Sequence, residues 1–329
     1  MASHISILPT EFLDSLSAQL DGAQSHQFLR LPHPRTGIPS LFLPYPQHSG
    51  TSSARWSILE VQAVSPPNER SWFMGEGQWS GAADGRLLMM TPIDPSFLLI
   101  PLLRADGFVG TFRPLEDVFE EALPKLVEQS EKNASPKDPT ASISLRDLET
   151  FASLDCAKAA MKNACEVKEI TPEIVVYRYS QAHLVEYLRK KVARLSRPEV
   201  FESSRTLIRG LAKDGLMDDG KEHLLPSARQ RAACDILSQY LPQDVHAALI
   251  ASYDFAALDS HLKAIQDDIA ATAASALANS ANAKSSGNGE AGDKKRKNQK
   301  GSHGVEKLKK ANTKGMAKIS SFFQKPKAK

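Results

Sequence analysis

Carboxylates, histidines and cysteines are the side chains with which this 329-residue chain would do chemistry, and their spacing argues for little of it. Cutting a phosphodiester with two metal ions needs several carboxylates converging on Mg²⁺. The 38 acidic residues fall instead mostly on the polar faces of predicted helices. His33 stands in Pro32-His33-Pro34 beside a turn, a surface or packing position, and His183 and His223 have no cysteine or carboxylate at ligand spacing. Cys156, Cys165 and Cys234 are scattered and odd in number, as reduced thiols of an intracellular protein would be. Asp94 precedes Pro95 at the head of an apolar run, so it is expected to cap a helix N-terminus rather than act as a catalytic acid. No P-loop, Gly-rich dinucleotide turn, HExxH, paired CxxC or GxSxG occurs, and no metal or cofactor is expected in this chain.

The chemistry that remains is recognition, and its clearest sign is the C-terminal end. Phe322 and Phe323 stand side by side after a long stretch with almost no apolar content. One helical turn would bring Ile319 onto the same face as both rings. An exposed aromatic pair on a solvated tail costs solubility unless an apolar pocket on another protein receives it. Residues 284–329 hold 14 of the 41 Lys/Arg and 3 of the 38 Asp/Glu, a net of +11, which leaves the rest of the chain at −8. A mildly acidic body with a basic tail is not a surface that grips nucleic acid all over, although the tail alone would do so weakly. Lys294, Lys295, Arg296 and Lys297 form a basic cluster on accessible chain, a nuclear-import candidate.

These residues imply particular elements to carry them. Residues 25–92 read as β-rich, with strand-like segments at 26–31, 39–43, 55–64, 71–79 and 86–90 split by turn residues such as Gly37 and Asp84-Gly85. Apolar side chains are many for so few strands. Trp72, Phe73, Leu87 and Leu88 would fill a small barrel or be covered by a second chain. From residue 93 to 278 the pattern is mainly helical, with helices predicted at 115–127, 145–154, 181–195, 227–241, 243–253 and 255–277. A strand is expected at 174–179, Ser180 as the cap of the helix after it, and a loop with one short helix over 197–225. Residues 279–313 cannot bury enough apolar surface to offset ordering entropy and are expected to be disordered. The expected class is α+β: an N-terminal segment (1–24), a β-rich part, a helical winged-helix-like domain, the basic linker and a tail (314–329). No secretory signal or membrane span is expected.

With these residues laid out, the chain resembles the non-catalytic B subunit of the eukaryotic type 2 ribonuclease H. The resemblance is carried by Leu31-Pro32-His33-Pro34-Arg35-Thr36-Gly37, by Ser71-Trp72-Phe73, and by residues 91–99 in Thr91-Pro92-Ile93-Asp94-Pro95 and onward. Further on it is carried by Tyr177-Arg178-Tyr179-Ser180, Leu184, Leu188, Lys190-Lys191-Val192 and Ile236 to Pro242. It implies a heterotrimer that cuts ribonucleotides embedded in duplex DNA and the RNA of RNA–DNA hybrids. Mg²⁺ and its carboxylates would belong to the catalytic subunit, and a third subunit would share a triple barrel with the N-terminal strands. Trp72, Phe73, Leu87 and Leu88 then become partner-interface candidates. Met316, Ile319, Phe322 and Phe323 resemble a motif that inserts into the sliding clamp, proliferating cell nuclear antigen, with methionine where the general motif prefers glutamine. A nuclear scaffold and targeting subunit is the leading expectation. A stand-alone winged-helix DNA-binding protein recruited to the clamp is the alternative.

Overall fold

The computed structural model describes residues 5–10, 12–13, 27–47, 55–65, 86–105, 110–133, 142–218 and 220–285. Five strands form the first sheet: β1 (Ile5–Ile7), β2 (Leu29–Pro32), β3 (Pro39–Gln47), β4 (Arg55–Val64) and β5 (Leu87–Ile93), in the order β1-β5-β4-β3-β2. The β2–β3, β3–β4 and β4–β5 pairs are antiparallel, and β1 runs parallel to β5. Because side chains alternate across a sheet, this register sorts residues onto two faces. Leu29, Leu31, Phe42, Ile58 and Ile93 point toward the helices and join the main core. Leu43, Tyr45, Leu59 and Met90 point the other way, under Phe12, whose ring meets Tyr45 edge-on at 5.1 Å.

Among the described residues, the cover on the first face is incomplete. Ile7, Met89 and Val64 continue the register of Ile58 and Ile93 beyond the helices and are 54%, 36% and 44% exposed. Leu87 opens β5 on that face and is half-buried, as is Leu88 on the other. The two edges of the sheet also differ. At β2 the outward-facing Arg30 amide donates to Asp147 Oδ2 at 3.1 Å, so a helix closes that edge. Three-residue β1 forms the opposite edge.

Asp94 ends the sheet and begins the helical part. Its carboxylate accepts the Ser96 amide at 2.8 Å, with Pro95 at the first helical position of α1 (Pro95–Arg104). Strand β6 (Arg113–Pro114), α2 (Leu115–Asn133), α3 (Leu145–Ser153) and α4 (Asp155–Ala164) follow. Strands β7 (Cys165–Thr171) and β8 (Ile174–Tyr179) then form a hairpin that pairs back onto β6 in the order β6-β8-β7. A first strand, helices, and a wing folded back between them is the winged-helix arrangement. Ser180 caps α5 (Gln181–Leu195), accepting the His183 amide at 3.3 Å, and Leu184, Leu188 and Val192 form its buried stripe. Next come α6 (Pro198–Glu202), α7 (Arg205–Lys213), α8 (Leu225–Leu237), α9 (Gln243–Ala251) and α10 (Ala256–Ser285).

The α+β class and the order of sheet, winged helix and helices agree with the sequence reading. Several local expectations are corrected. Helix α10 runs to Ser285, into the stretch 279–313 expected to be disordered, because its alanines favour helix. Residues 197–225 hold two helices and a 3₁₀ turn rather than one short helix, because Pro198 starts α6 and Ser204 caps α7. Helix α4 and strand β7 were not expected. Nor was β1, within the N-terminal segment. The expected strand at 71–79 lies outside the described residues.

Residues up to Asp268 form one compact unit, and the described part of the second unit, 269–285, is helical. Among the described residues no helix is long and apolar enough to cross a membrane.

Candidate functional site

The densest polar constellation lies at the seam where the first sheet meets the helices. It begins with Asp94, whose role exceeds capping. Besides the Ser96 amide, its carboxylate accepts the Tyr187 hydroxyl at 2.5 Å and forms an ion pair with Lys191, both on α5. Burial alone would raise its pKa, but the hydrogen bonds from Lys191 and Tyr187 outweigh it and hold the carboxyl below its ordinary range. The buried Ser96 hydroxyl accepts from Asn163 of α4 at 2.9 Å. One acid thus ties α1 to α5, and its neighbour ties α1 to α4.

A ring stack carries the seam back to the strands. Lys191 Nζ lies 5.5 Å from the Phe97 ring, within cation–π reach. Phe97 stacks on Tyr240 at 5.5 Å, and Tyr240 on His33 at 5.8 Å. Tyr240, in the 3₁₀ turn after α8, donates its hydroxyl to Glu60 Oε2 of β4 at 2.7 Å. Glu60 is 2% exposed, with His33 Nε2 at 3.9 Å from its other oxygen. His33 is set by a tight turn: its amide donates to the Ile38 carbonyl, and Gly37, at φ 70°, returns its own amide to the His33 carbonyl. Burial lowers the His33 pKa, Glu60 pulls it up, and Arg35 pushes it down again, so the ring is neutral at pH 7. Its Nδ1 accepts the Arg35 amide at 3.3 Å, which puts the proton on Nε2, toward Glu60.

The chemistry available here is fastening. A general acid or base needs a pKa near the working pH and an open approach. Asp94 is held ionised by three donors. Glu60 is enclosed by Tyr240 and His33. Among the described residues no three His, Cys, Asp or Glu side chains gather as a metal site. Burial pushes the Cys165 thiol up to about 12 and Cys234 to about 11, which makes both poor nucleophiles. Beside the seam, a groove of about 760 Å³ runs between the strand ends and α4, lined in part by Trp56, Pro92, Asp155, Asn163 and Tyr187.

Among the candidates named from sequence, Leu87 and Leu88 open β5. Trp72, Phe73, the cluster Lys294, Lys295, Arg296 and Lys297, and the tail residues Met316, Ile319, Phe322 and Phe323 lie outside the described residues. Sequence reasoning missed Glu60 and Tyr240. A usable signal existed in the lone carboxylate between Leu59 and Val61 of an apolar strand, in register with Ile58.

Two family models divide the chain at this seam. Residues 7–94 match the Ydr279p protein triple barrel domain, and residues 97–250 match the wHTH domain of the Ydr279p protein family (RNase H2 complex component). The chain belongs to the Ydr279p family of RNase H2 complex components. The ribonuclease H2 B subunit of Xenopus laevis is 29% identical over 201 residues, covering 57% of this chain and 53% of that relative. The Xenopus tropicalis protein of that name is 28% identical over 191 residues, with the same coverage, and that of Rattus norvegicus 26% over 165 residues, covering 50% and 43%. The chain spans about half the length of the curated relatives it matches. His33, Asp94, Phe97, Lys191 and Tyr240 all fall within the segments that carry the family resemblance, so those segments include the fastening between the family's two domains.

Proposed function

We propose that this chain is the non-catalytic scaffold and targeting subunit of a trimeric ribonuclease H2, which removes ribonucleotides from duplex DNA and degrades RNA in RNA–DNA hybrids. The observation that carries the reading is the unfinished sheet. Ile7, Met89 and Val64 leave an apolar strip uncovered beyond the helices, next to half-buried Leu87, and the β1 edge is short. An exposed apolar strip on a sheet face whose other half packs against the helices calls for a partner. In the family's triple barrel that partner is a third subunit, and the catalytic subunit, with its Mg²⁺, docks on the shared barrel. The tail, through Met316, Ile319, Phe322 and Phe323, would bring the assembly to the sliding clamp, and Lys294 to Lys297 to the nucleus.

The stand-alone DNA-binding alternative is less well served. Helix α4, which precedes the wing and would have to enter the major groove, packs against α1 and α5. The wing itself carries Glu166, Glu169 and Glu173 against Lys168 and Arg178, with Arg178 paired to Glu166 and with Ile170 and Ile174 exposed, which suits phosphates poorly.

The test is co-expression with and without candidate catalytic and third subunits, then cleavage of a duplex holding one ribonucleotide. A 1:1:1 assembly that cleaves beside an inactive lone chain is expected, and Met89→Lys with Val64→Lys should block assembly while the lone chain keeps its helical content. A lone chain that ignores both partners would end the reading. In the same complexes, Phe322→Ala with Phe323→Ala should abolish clamp binding and leave cleavage intact. Undiminished clamp binding would remove the tail from the proposal.

A further inference from the structure

The body of the chain is acidic, but its charge is not evenly spread. Residues 189–213 carry eight Lys/Arg against Glu199 and Glu202, a net of +6 within a part of the chain that nets −8. At the centre of this island a cleft of about 420 Å³ opens between the end of α5 and α6. Phe97, Leu195 and Leu237 form its apolar lining, and Lys191, Arg194 and Arg197 supply its cations. Lys191 is committed to Asp94. Arg194 and Arg197 are exposed and form no ion pair among the described residues.

We propose that this cleft binds backbone phosphates of a nucleic-acid duplex. Two guanidinium groups beside an apolar floor can each offer bidentate, charge-assisted hydrogen bonds to an anion. An isolated carboxylate would be satisfied by the cleft alone, but the cations continue. Helix α6 packs against α7, where Arg205, Arg209 and Lys213 follow at four-residue spacing, all exposed and on one face. Each step along that row is about 6 Å. A row of cations repeated along a surface suits a ligand whose charge also repeats, and a duplex carries one phosphate per about 3.4 Å of each strand. The surface differs from the one a winged helix ordinarily presents, since it uses neither α4 nor the wing. The choice of a duplex as the ligand rests on the proposed function, and the role is to hold the flank of the substrate while another chain cuts it.

The experiment titrates the full chain with a short labelled DNA duplex over a range of salt concentrations. It compares wild type, Arg194→Ala with Arg197→Ala, and Arg194→Lys with Arg197→Lys. The basic tail contributes equally to all three, so the difference reports the cleft. The slope of log affinity against log salt should fall by about 1.8 in the alanine variant, at about 0.9 per phosphate contact, and be kept by the lysine variant. An unchanged slope in the alanine variant overturns the proposal. So does a variant that loses binding of a glutamate-rich peptide while its duplex slope stays, since the cleft would then serve an acidic protein. The scaffold reading is judged separately, because the alanine variant should still form the 1:1:1 assembly with both partners. Failure of the wild-type chain to assemble would remove that reading and leave the duplex slopes to stand or fall alone.

Discussion

Glu60 and Asp94 are two buried or half-buried acids on the same seam, and their partners make them unequal. Asp94 has three donors: the Ser96 amide, Tyr187 and Lys191. Glu60 has one short hydrogen bond, from Tyr240, and a histidine at 3.9 Å. Removing a partner matters most where nothing replaces it, because a buried group left unsatisfied costs about 1–3 kcal/mol, more when charged, against about 0.5–1.5 for an ordinary hydrogen bond. Tyr240→Phe should therefore lower stability by roughly 2 kcal/mol or more, and Tyr187→Phe by about 1 or less. Thermal or urea unfolding at pH 7 would rank them, and the reverse order would refute this account of the seam. Repeating the unfolding at lower pH tests His33. Its folded pKa lies below its ordinary 6.5, so the unfolded chain binds the proton first. Stability is then full above 6.5 and falls as pH drops from there through the folded value. His33→Gln should flatten that decline. The Asp94 contribution is lost in a separate window, from 3.8 downward through its lowered pKa.

At the scale of elements, what could be read from the sequence was whatever depends on neighbours along the chain. The Asp94-Pro95 cap, the Ser180 cap, strand 55–64 and the helix after Ser180 are written in three or four adjacent residues, and the structure places them as read. Elements settled by distant contacts were harder. Helix α4 is rich in alanine and lysine with a weak apolar pattern, and it is held by packing on α1. Strand β7 is mostly exposed, with charged Glu166, Lys168 and Glu169 among its residues, and its pairing with β8 makes it a strand. The three residues of β1 mean nothing until β5 lies beside them. The candidate site divides the same way. Asp94 was legible as a cap, but its bonds to Tyr187 and Lys191 span more than 90 residues of sequence, and Glu60 meets Tyr240 across 180. No periodicity reports such distances. The cations of α5 and α7 are all present in the sequence between Arg189 and Lys213, but without a fold they have no floor and no continuation.

The whole molecule turns on whether the sheet and the helices are two folding units or one. Family boundaries separate residues 7–94 from 97–250, yet Leu29, Leu31, Phe42, Ile58 and Ile93 of the strands share one core with Leu99, Ile100, Leu148 and Leu188 of the helices. At the other end of the sheet, Ile7, Met89 and Val64 stay uncovered. One half of the sheet is thus fixed to the helices and the other half is exposed, so the proposed scaffold role requires the fixed half to transmit position without slack. That requirement has a thermodynamic signature. If the core is continuous, a cavity made on the strand side must weaken the helices by the same amount. Phe42→Ala removes a fully buried ring and should cost about 3–5 kcal/mol. Measured on the full chain, the helical circular-dichroism signal and the fluorescence of the tryptophans, of which Trp56 sits in β4, should shift to lower denaturant together, with a single shared midpoint. Helices that keep their wild-type midpoint while the fluorescence moves would mean that the seam joins two independent domains, and a rigid scaffold could not be built on it.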